Sequence, residues 1–250
     1  QADLRLLSTI RKRVAAGGVR GSLYREPGSV YGPTVMDTSP VVPPSVALAF
    51  ANPQRLTVRQ RKRWLEILFS WESKNTYLVF DHNDAPVFEV QEQGKGFGNM
   101  MKRLFLGPLR WFTANVEDLG KQSTLLSLRR PFRFFFHRLE VTGPDGVALG
   151  AIQRRWTWLR RKYTVEGPAG QEVATLFGPF FRPWTFKIRL PGSEQEIGLL
   201  QKKWSGLGKE LFTDADNFWI QLENVRDPQL SALLFSATVL IDVVHFERVK

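Results

Sequence analysis

A strand–turn–strand unit that recurs along the chain constrains the fold more than any other feature of the sequence. Residues 186–190 alternate apolar and charged side chains, as a strand does when one face packs on a core and the other meets water. Pro191 and Gly192 follow at once. They indicate a turn, because Pro presets φ and Gly accepts positive φ. The next apolar run then predicts the second strand of a hairpin.

Five such hairpins follow one another along the chain. Their first strands are predicted at residues 76–80, 112–116, 138–142, 162–166 and 186–190. The last three turns recur at intervals of 24 and 22 residues, counted between Gly146, Gly170 and Gly192. A series of hairpins has to bury one face and protect its edges, and closure into a barrel achieves both. The repeat therefore predicts a mainly β fold that closes into a barrel.

The C-terminal run at residues 230–244 breaks this pattern, because it is apolar on nearly every side. Its 15 residues are few for a bilayer span, which needs about 20, and Asp242 would be costly inside hydrocarbon. A helix that is hydrophobic all round is normally buried in protein. We therefore predict a helix threaded through the barrel, with a membrane span as the alternative.

The N-terminal part has a different composition. Residues 27–53 contain six prolines and read as an extended linker, and residues 4–16 form an Arg-rich stretch. That stretch predicts a membrane-surface helix or an organelle-targeting remnant, or else a frayed terminus. We divide the chain into a basic, Pro-rich extension at residues 1–63 and a barrel with its C-terminal helix at residues 64–250.

Charge and cysteine content limit the chemistry. The net charge of +11 favours a polyanionic partner, either anionic lipid or nucleic acid, although a basic surface without a partner has the same composition. The absence of cysteine excludes disulfides, thiolate metal sites and cysteine nucleophiles. No nucleophile motif of the G-x-S-x-G kind occurs, and no small-molecule substrate is evident. Binding or movement of a partner is thus favoured over covalent catalysis.

Several segments resemble the phospholipid scramblase family. The most specific is FTDADNF at residues 212–218, preceded by Trp204-Ser205-Gly206 and followed by Ile220-Gln221. Residues 69–77 (FSWESKNTY), 128–132 (LRRPF), 139–141 (LEV) and the LID…FE pattern at 240–247 are also similar to that family. The resemblance extends over roughly residues 64–247. It implies a tubby-like fold, which is a closed twelve-stranded antiparallel β barrel around a central hydrophobic C-terminal helix.

The same resemblance implies a function. It implies calcium-dependent, energy-independent movement of phospholipids between leaflets by a protein associated with the cytoplasmic face of a membrane. A lipid-binding or regulatory module without transport is the alternative, and a nucleic-acid-binding barrel is a third possibility. The family's cysteine cluster is replaced here by the Phe-rich residues 132–136, which could insert into a membrane or pack in the core.

The resemblance carries a calcium site over to four positions, Asp214, Asp216, Phe218 and Ile220. Trp219 stands where the family has Gly, and Val225 stands where the family has an acidic residue. Calcium takes six to eight oxygen ligands, and its affinity depends on the number of charged ligands. We therefore predict a site in the millimolar range or weaker. The alternative is an Asx-rich turn whose side chains cap backbone amides.

Basic residues stand beside tryptophans near the ends of the predicted strands. The set comprises Arg154, Arg155, Trp156, Trp158, Arg160, Arg161, Lys162, Lys202, Lys203 and Trp204. Trp prefers the headgroup level of a bilayer, and each Lys or Arg near an anionic leaflet contributes about 1 kcal/mol. We predict that these residues bind an anionic phospholipid membrane. A solvated rim and a stacking surface for single-stranded nucleic acid remain the alternatives.

Overall fold

The twelve strands found in the computed structural model pair with one another in antiparallel register until the sheet closes on itself. The structure describes residues 42–51, 55–60, 76–93, 111–133, 135–158, 161–179, 181–182, 184–203 and 217–245. All of them belong to the unit that spans residues 39–250. The strands are β1 (Arg55–Gln60), β2 (Thr76–Phe80), β3 (Pro86–Glu92), β4 (Phe112–Asp118), β5 (Ser123–Arg130), β6 (Arg138–Thr142), β7 (Ala148–Arg155), β8 (Arg161–Glu166), β9 (Glu172–Gly178), β10 (Thr185–Arg189), β11 (Glu196–Lys203) and β12 (Asn217–Gln221). Within these described ranges two helices accompany the strands, α1 (Pro44–Ala49) and α2 (Pro228–His245).

Each strand pairs with its neighbours in sequence, and β1 closes the barrel by pairing with β12. The predicted fold class is therefore confirmed, and all five predicted hairpins are present. The predicted N-terminal boundary needs correction. Residues 55–60, which we assigned to the extension, form β1 and pair with β2 on one side and β12 on the other. The barrel thus begins before residue 64, because closure requires a strand between β2 and β12.

Period-2 alternation builds the core. In β4, Phe112, Ala114 and Val116 are buried, whereas the side chains between them are exposed or half-buried. Inward positions of adjacent strands face one another, as Val90 does with Val116. Gly150 in β7 allows the backbone of the neighbouring strand β8 to approach closely. A Cβ atom there would lie 2.2 Å from the carbonyl oxygen of Glu166, so only glycine fits.

Helix α2 lies inside the barrel, as predicted. Every residue from 230 to 244 is buried, and contacts come from opposite sides of the barrel. The Tyr77 hydroxyl on β2 donates to Oδ2 of Asp242 at 2.8 Å, and Gly150 on β7 lies beside Leu233. Eighteen residues span about 27 Å, so the helix runs from one end of the barrel to the other. Burial on all sides explains why its sequence is apolar all round.

Up-and-down connectivity gives the barrel two distinct ends. Odd-numbered strands finish, and even-numbered strands begin, at what we call the loop end. The opposite end, which we call the hairpin end, carries the tight connections from even to odd strands and the connection from β12 to α2. Because α2 starts at the hairpin end, its C-terminal turn and Asp242 lie near the loop end, beside the start of β2.

Candidate functional site

Exposed aromatic side chains gather at the loop end. Among the described residues, seven large aromatics are exposed, and each lies next to a strand end on this side of the barrel. They are Trp111, Phe132, Phe135, Phe136, Trp156, Trp158 and Phe181. The rings of Trp156 and Trp158 make an edge-to-face pair with centroids 5.5 Å apart, while remaining 65% and 85% exposed. Apolar surface on this scale usually marks an interaction site.

The connection between β5 and β6 carries three of these rings. Residues 131–133 and 135–137 form no strand, and Phe132, Phe135 and Phe136 are exposed, so the core-packing alternative is wrong for these three. Phe134 lies outside the described residues. The segment is held against the end of β7, because Nε2 of Gln153 donates to the Phe136 carbonyl at 2.6 Å. Phe136 has a positive φ of 55°, which costs energy for a non-glycine residue, and its side chain is exposed.

The ends of β7 and β8 bring six of the predicted lipid-binding residues together. Arg154 pairs in register with the core residue Tyr163, and Arg161 lies two residues before Tyr163 on the same inward face. Arg155 and Lys162 face each other on the outer surface. Trp156 and Trp158 directly follow β7. The structure therefore forms one cluster in which two cations point inwards, two point outwards and the indole pair projects beyond them.

Two arginines on the outer surface share one carboxylate. Nη1 of Arg138 lies 2.6 Å from Oε2 of Glu166, and Nη2 of Arg155 lies 2.9 Å from Oε1. The Arg155 Nε also donates to Thr164 Oγ1 at 3.1 Å. Because Glu166 is mostly buried, these bonds fix β6, β7 and β8 relative to one another.

Cations are also buried just inside the loop end. Arg130 is 1% exposed, and its Nη2 lies 2.9 Å from Nδ1 of His137. Burial, followed by the charges of Arg130 and Arg154, lowers the pKa of His137 to about 4. Burial also lowers the pKa of Arg161 and raises that of Tyr163. The inner rim of the loop end is therefore a positively charged environment in which His137 is neutral near pH 7.

Lys202, another predicted lipid-binding residue, does not join this cluster. Lys202 points inwards and is only 6% exposed, with its ammonium nitrogen 5.2 Å from the ring centroid of Phe218. We expected Lys202 on the exposed surface, and alternation along β11 instead places it on the same face as the core residue Leu200. Arg160, Trp204 and the side chain of Lys203 lie outside the described residues.

The described connections at the two ends of the barrel differ in charge. The connections at the hairpin end contain six acidic residues and two basic ones, namely Asp81, Asp84, Asp145, Glu194, Glu223 and Asp227 against Lys121 and Arg226. The described connecting residues at the loop end include Arg133 and Arg182 and no acidic residue. Among the described connections, those at the loop end are therefore basic and aromatic, and those at the hairpin end are acidic.

The predicted calcium positions divide into two groups. Asp214 and Asp216 lie outside the described residues. Phe218 and Ile220 belong to β12 and bury apolar side chains in the core. Their strand pairs with β1 and β11, so their backbone carbonyls are directed into the sheet ladder. In the part of the chain that the structure describes, no three His, Asp or Glu residues come together as metal ligands.

Phe181 and Arg182 are functional candidates that the sequence reasoning missed. Phe181 is 92% exposed in the connection from β9 to β10, the position that Trp156 and Trp158 occupy one hairpin earlier. The signal was available, since an aromatic residue follows the last strand residue and Pro179 just as Trp156 follows β7. Within the described ranges, no helix is both long and apolar enough to cross a membrane.

Comparisons with known proteins agree with these features. The family model described as Scramblase matches residues 35–248. Phospholipid scramblase 2 of Homo sapiens is 29% identical over 208 residues, which cover 78% of this chain and 68% of that protein. Phospholipid scramblase 1 of Mus musculus is 29% identical over 241 residues, which cover 90% of this chain and 71% of that protein.

A solved structure of a protein from Arabidopsis thaliana has a TM-score of 0.47 at 13% identity, covering 82% of this chain and 99% of that one. A TM-score this low does not support an inference about the fold. The fold assignment therefore depends on the observed strand pairing. The family model, by contrast, matches most of the chain. The chain belongs to the Scramblase family.

Proposed function

We propose that this protein docks on phospholipid membranes through the loop end of the barrel and promotes energy-independent, bidirectional movement of phospholipids between leaflets. The observation that carries the proposal is the gathering of all seven exposed aromatics of the described residues at one end, beside Arg154, Arg155 and Lys162. The names of the related phospholipid scramblases support the choice of lipid as the partner.

Docking follows from the chemistry of this end. Indole rings partition to the headgroup level, and each cation near an anionic leaflet contributes about 1 kcal/mol. The acidic hairpin end is repelled by the same leaflet, so the electrostatic field orients the barrel with its aromatic end towards the lipid. Anionic lipids are concentrated in the cytoplasmic leaflet, which makes the cytoplasmic face the preferred site of docking.

The lumen of the barrel does not offer a route for lipids. Helix α2 fills it, and the described side chains of residues 230–244 are buried. Lipid movement therefore takes place in the bilayer beside the protein. The exposed rings of Trp158, Phe135 and Phe181 would separate headgroups and disorder the acyl chains below them, which lowers the barrier for a headgroup to cross. No covalent step is involved.

Binding without transport is the second candidate, because the filled lumen is equally compatible with a lipid-binding module. Reconstitution into vesicles that contain a fluorescent phospholipid, followed by chemical bleaching of the outer leaflet, separates the two. Scramblase activity predicts bleaching of more than half of the fluorescence, whereas binding alone leaves the inner leaflet protected. Binding of the protein to a single-stranded oligonucleotide, but not to anionic vesicles, would instead favour nucleic acid as the partner.

A further inference from the structure

A groove on the outer face of the barrel adjoins the docking surface described above and shares Phe181 with it. It lies across β10 and β11 beneath the connection from β9 to β10, and its volume is about 600 Å³, within the range of small-ligand sites. Its lining includes Phe181, Arg182, Thr185, Lys187, Glu196 and Gln201. On the outer face the lining carries two cations, Arg182 and Lys187, against one carboxylate, Glu196, so the groove attracts anions.

The register of the two strands orders these groups along the groove. Thr185 pairs with Gln201 next to the loop end, Lys187 pairs with Leu199 one step further, and Arg189 pairs with Glu196 at the far end. Successive steps are about 6.6 Å apart along a strand. Phe181 and Arg182 precede the first step. From the loop end outwards, the groove therefore presents an exposed aromatic ring, then cations, then a carboxylate.

An amine-bearing phospholipid has the same order of chemical groups. Acyl chains come first, the phosphate second, and the ammonium group lies furthest from the hydrocarbon. With the loop end against the bilayer, Phe181 would meet the acyl region, Arg182 and Lys187 the phosphate, and Glu196 the ammonium group. The planar guanidinium of arginine can donate two parallel N–H hydrogen bonds to phosphate oxygens. A lysine ammonium acts only as a point charge.

Glu196 already has two cationic neighbours. Its Oε1 lies 2.5 Å from the Lys187 ammonium and 3.8 Å from Nη2 of Arg189. A carboxylate accepts about four hydrogen bonds, and the Glu196 side chain is 40% exposed, so capacity remains for a ligand amine.

We infer that this groove binds one phospholipid headgroup that carries both a phosphate and an amine, such as phosphatidylethanolamine or phosphatidylserine. The inference rests on the proposed function for the orientation of the barrel on the membrane. The groove itself can be tested without a membrane, because a short-chain lipid dissolved as a monomer presents the same headgroup. Failure of docking and failure of the groove can thus be told apart.

The experiment is a calorimetric titration of the full chain with dihexanoyl phosphatidylethanolamine and, separately, with dihexanoyl phosphatidylglycerol, both below their micellar concentrations. The wild type should bind the ethanolamine lipid about tenfold more tightly, because only that headgroup reaches Glu196. Arg182→Gln should weaken both lipids by about tenfold. Glu196→Gln should weaken the ethanolamine lipid alone, and the loss of its negative charge should leave the glycerol lipid bound as well or better.

Arg226→Gln serves as the matched control, because Arg226 is an exposed arginine at the hairpin end, and it should bind both lipids as the wild type does. Equal affinity of the wild type for the two lipids, or an equal effect of Glu196→Gln on both, overturns the inference. Vesicle docking is measured in parallel. Headgroup selectivity without vesicle docking would reject the proposed function and leave the groove established, whereas docking without selectivity would reject the groove alone.

Discussion

Removal of the indole pair, Trp156→Ala with Trp158→Ala, tests the loop end as the membrane-docking surface. Both tryptophans follow the end of β7, and their rings pack edge to face with centroids 5.5 Å apart. Because they are 65% and 85% exposed, their loss leaves the core intact, and the melting temperature should change little. The double substitution should therefore lower the affinity for lipid without changing stability, so it tests the docking surface specifically.

The magnitude follows from the exposed area. A fully buried aromatic side chain covers about 150–250 Å², so the exposed parts of the two rings offer roughly 300 Å² to the membrane. At about 25 cal/mol per Å², complete transfer would contribute about 7 kcal/mol. A ring at the headgroup level keeps about half of its surface in contact with water, which reduces the transfer free energy to about 3–4 kcal/mol. We expect the vesicle partition constant to fall by a few hundredfold, since about 1.4 kcal/mol corresponds to a factor of ten.

Co-sedimentation with vesicles rich in phosphatidylserine measures this partition constant. The control is Leu190→Ala, which removes a 42% exposed apolar side chain at the hairpin end and should leave partitioning unchanged. A double tryptophan variant that partitions within threefold of the wild type would refute the argument. An equal loss in Leu190→Ala would show that exposed apolar area matters without regard to the end of the barrel.

Three further predictions concern stability and calcium. Tyr77→Phe removes the hydroxyl that donates to the buried Asp242 carboxylate, and chemical denaturation should show a loss of about 1.5–3 kcal/mol; an unchanged midpoint would mean that this bond is dispensable. His137 has a pKa lowered to about 4, so the unfolded chain binds a proton that the native chain does not between pH 6.5 and 4. The free energy of unfolding should fall by up to about 3 kcal/mol as the pH drops through that window, and His137→Gln should flatten this slope, whereas an identical slope in both proteins would contradict the assignment. For calcium, calorimetry should give an affinity in the millimolar range or weaker, and vesicle binding should be the same with and without the ion. The sequence predicts that Asp214 caps a turn, so Asp214→Ala should lower the melting temperature, at a cost of about 1 kcal/mol, and micromolar binding abolished by this change would reverse the prediction.

Local patterns in the sequence were sufficient for the hairpins and for α2. Alternation with period 2, as at residues 186–190, depends only on one face of a strand being buried, and the turn residues Pro191 and Gly192 act through their own φ preferences. The apolar run at residues 230–244 likewise had to be enclosed on every side. The number of strands came from the family resemblance, and the strand pairing confirms it.

The sequence did not reveal β1, because residues 55–60 lie beside a Pro-rich stretch and their partners on β12 are more than 150 residues away. The inward orientation of Lys202 was hidden for a related reason. The adjacent Leu199 and Leu200 leave the buried face of β11 ambiguous in the sequence, and pairing with β10 and β12 places Leu200, and with it Lys202, on the core side. Strand pairing over long sequence separations decides such cases, and a local pattern does not carry that information.

The candidate site was likewise predictable from the sequence only in part. The sequence alone determined that basic and aromatic residues follow several strands, and this was enough to select Arg154, Trp156 and Trp158. Only the tertiary structure decided that the aromatic connections share one end of the barrel, that the acidic turns share the other, and that Arg182 and Glu196 lie along one groove. The physical reason is that each connection is local in sequence, whereas its neighbours in space are set by up-and-down pairing around a closed sheet, which brings every second connection to the same end.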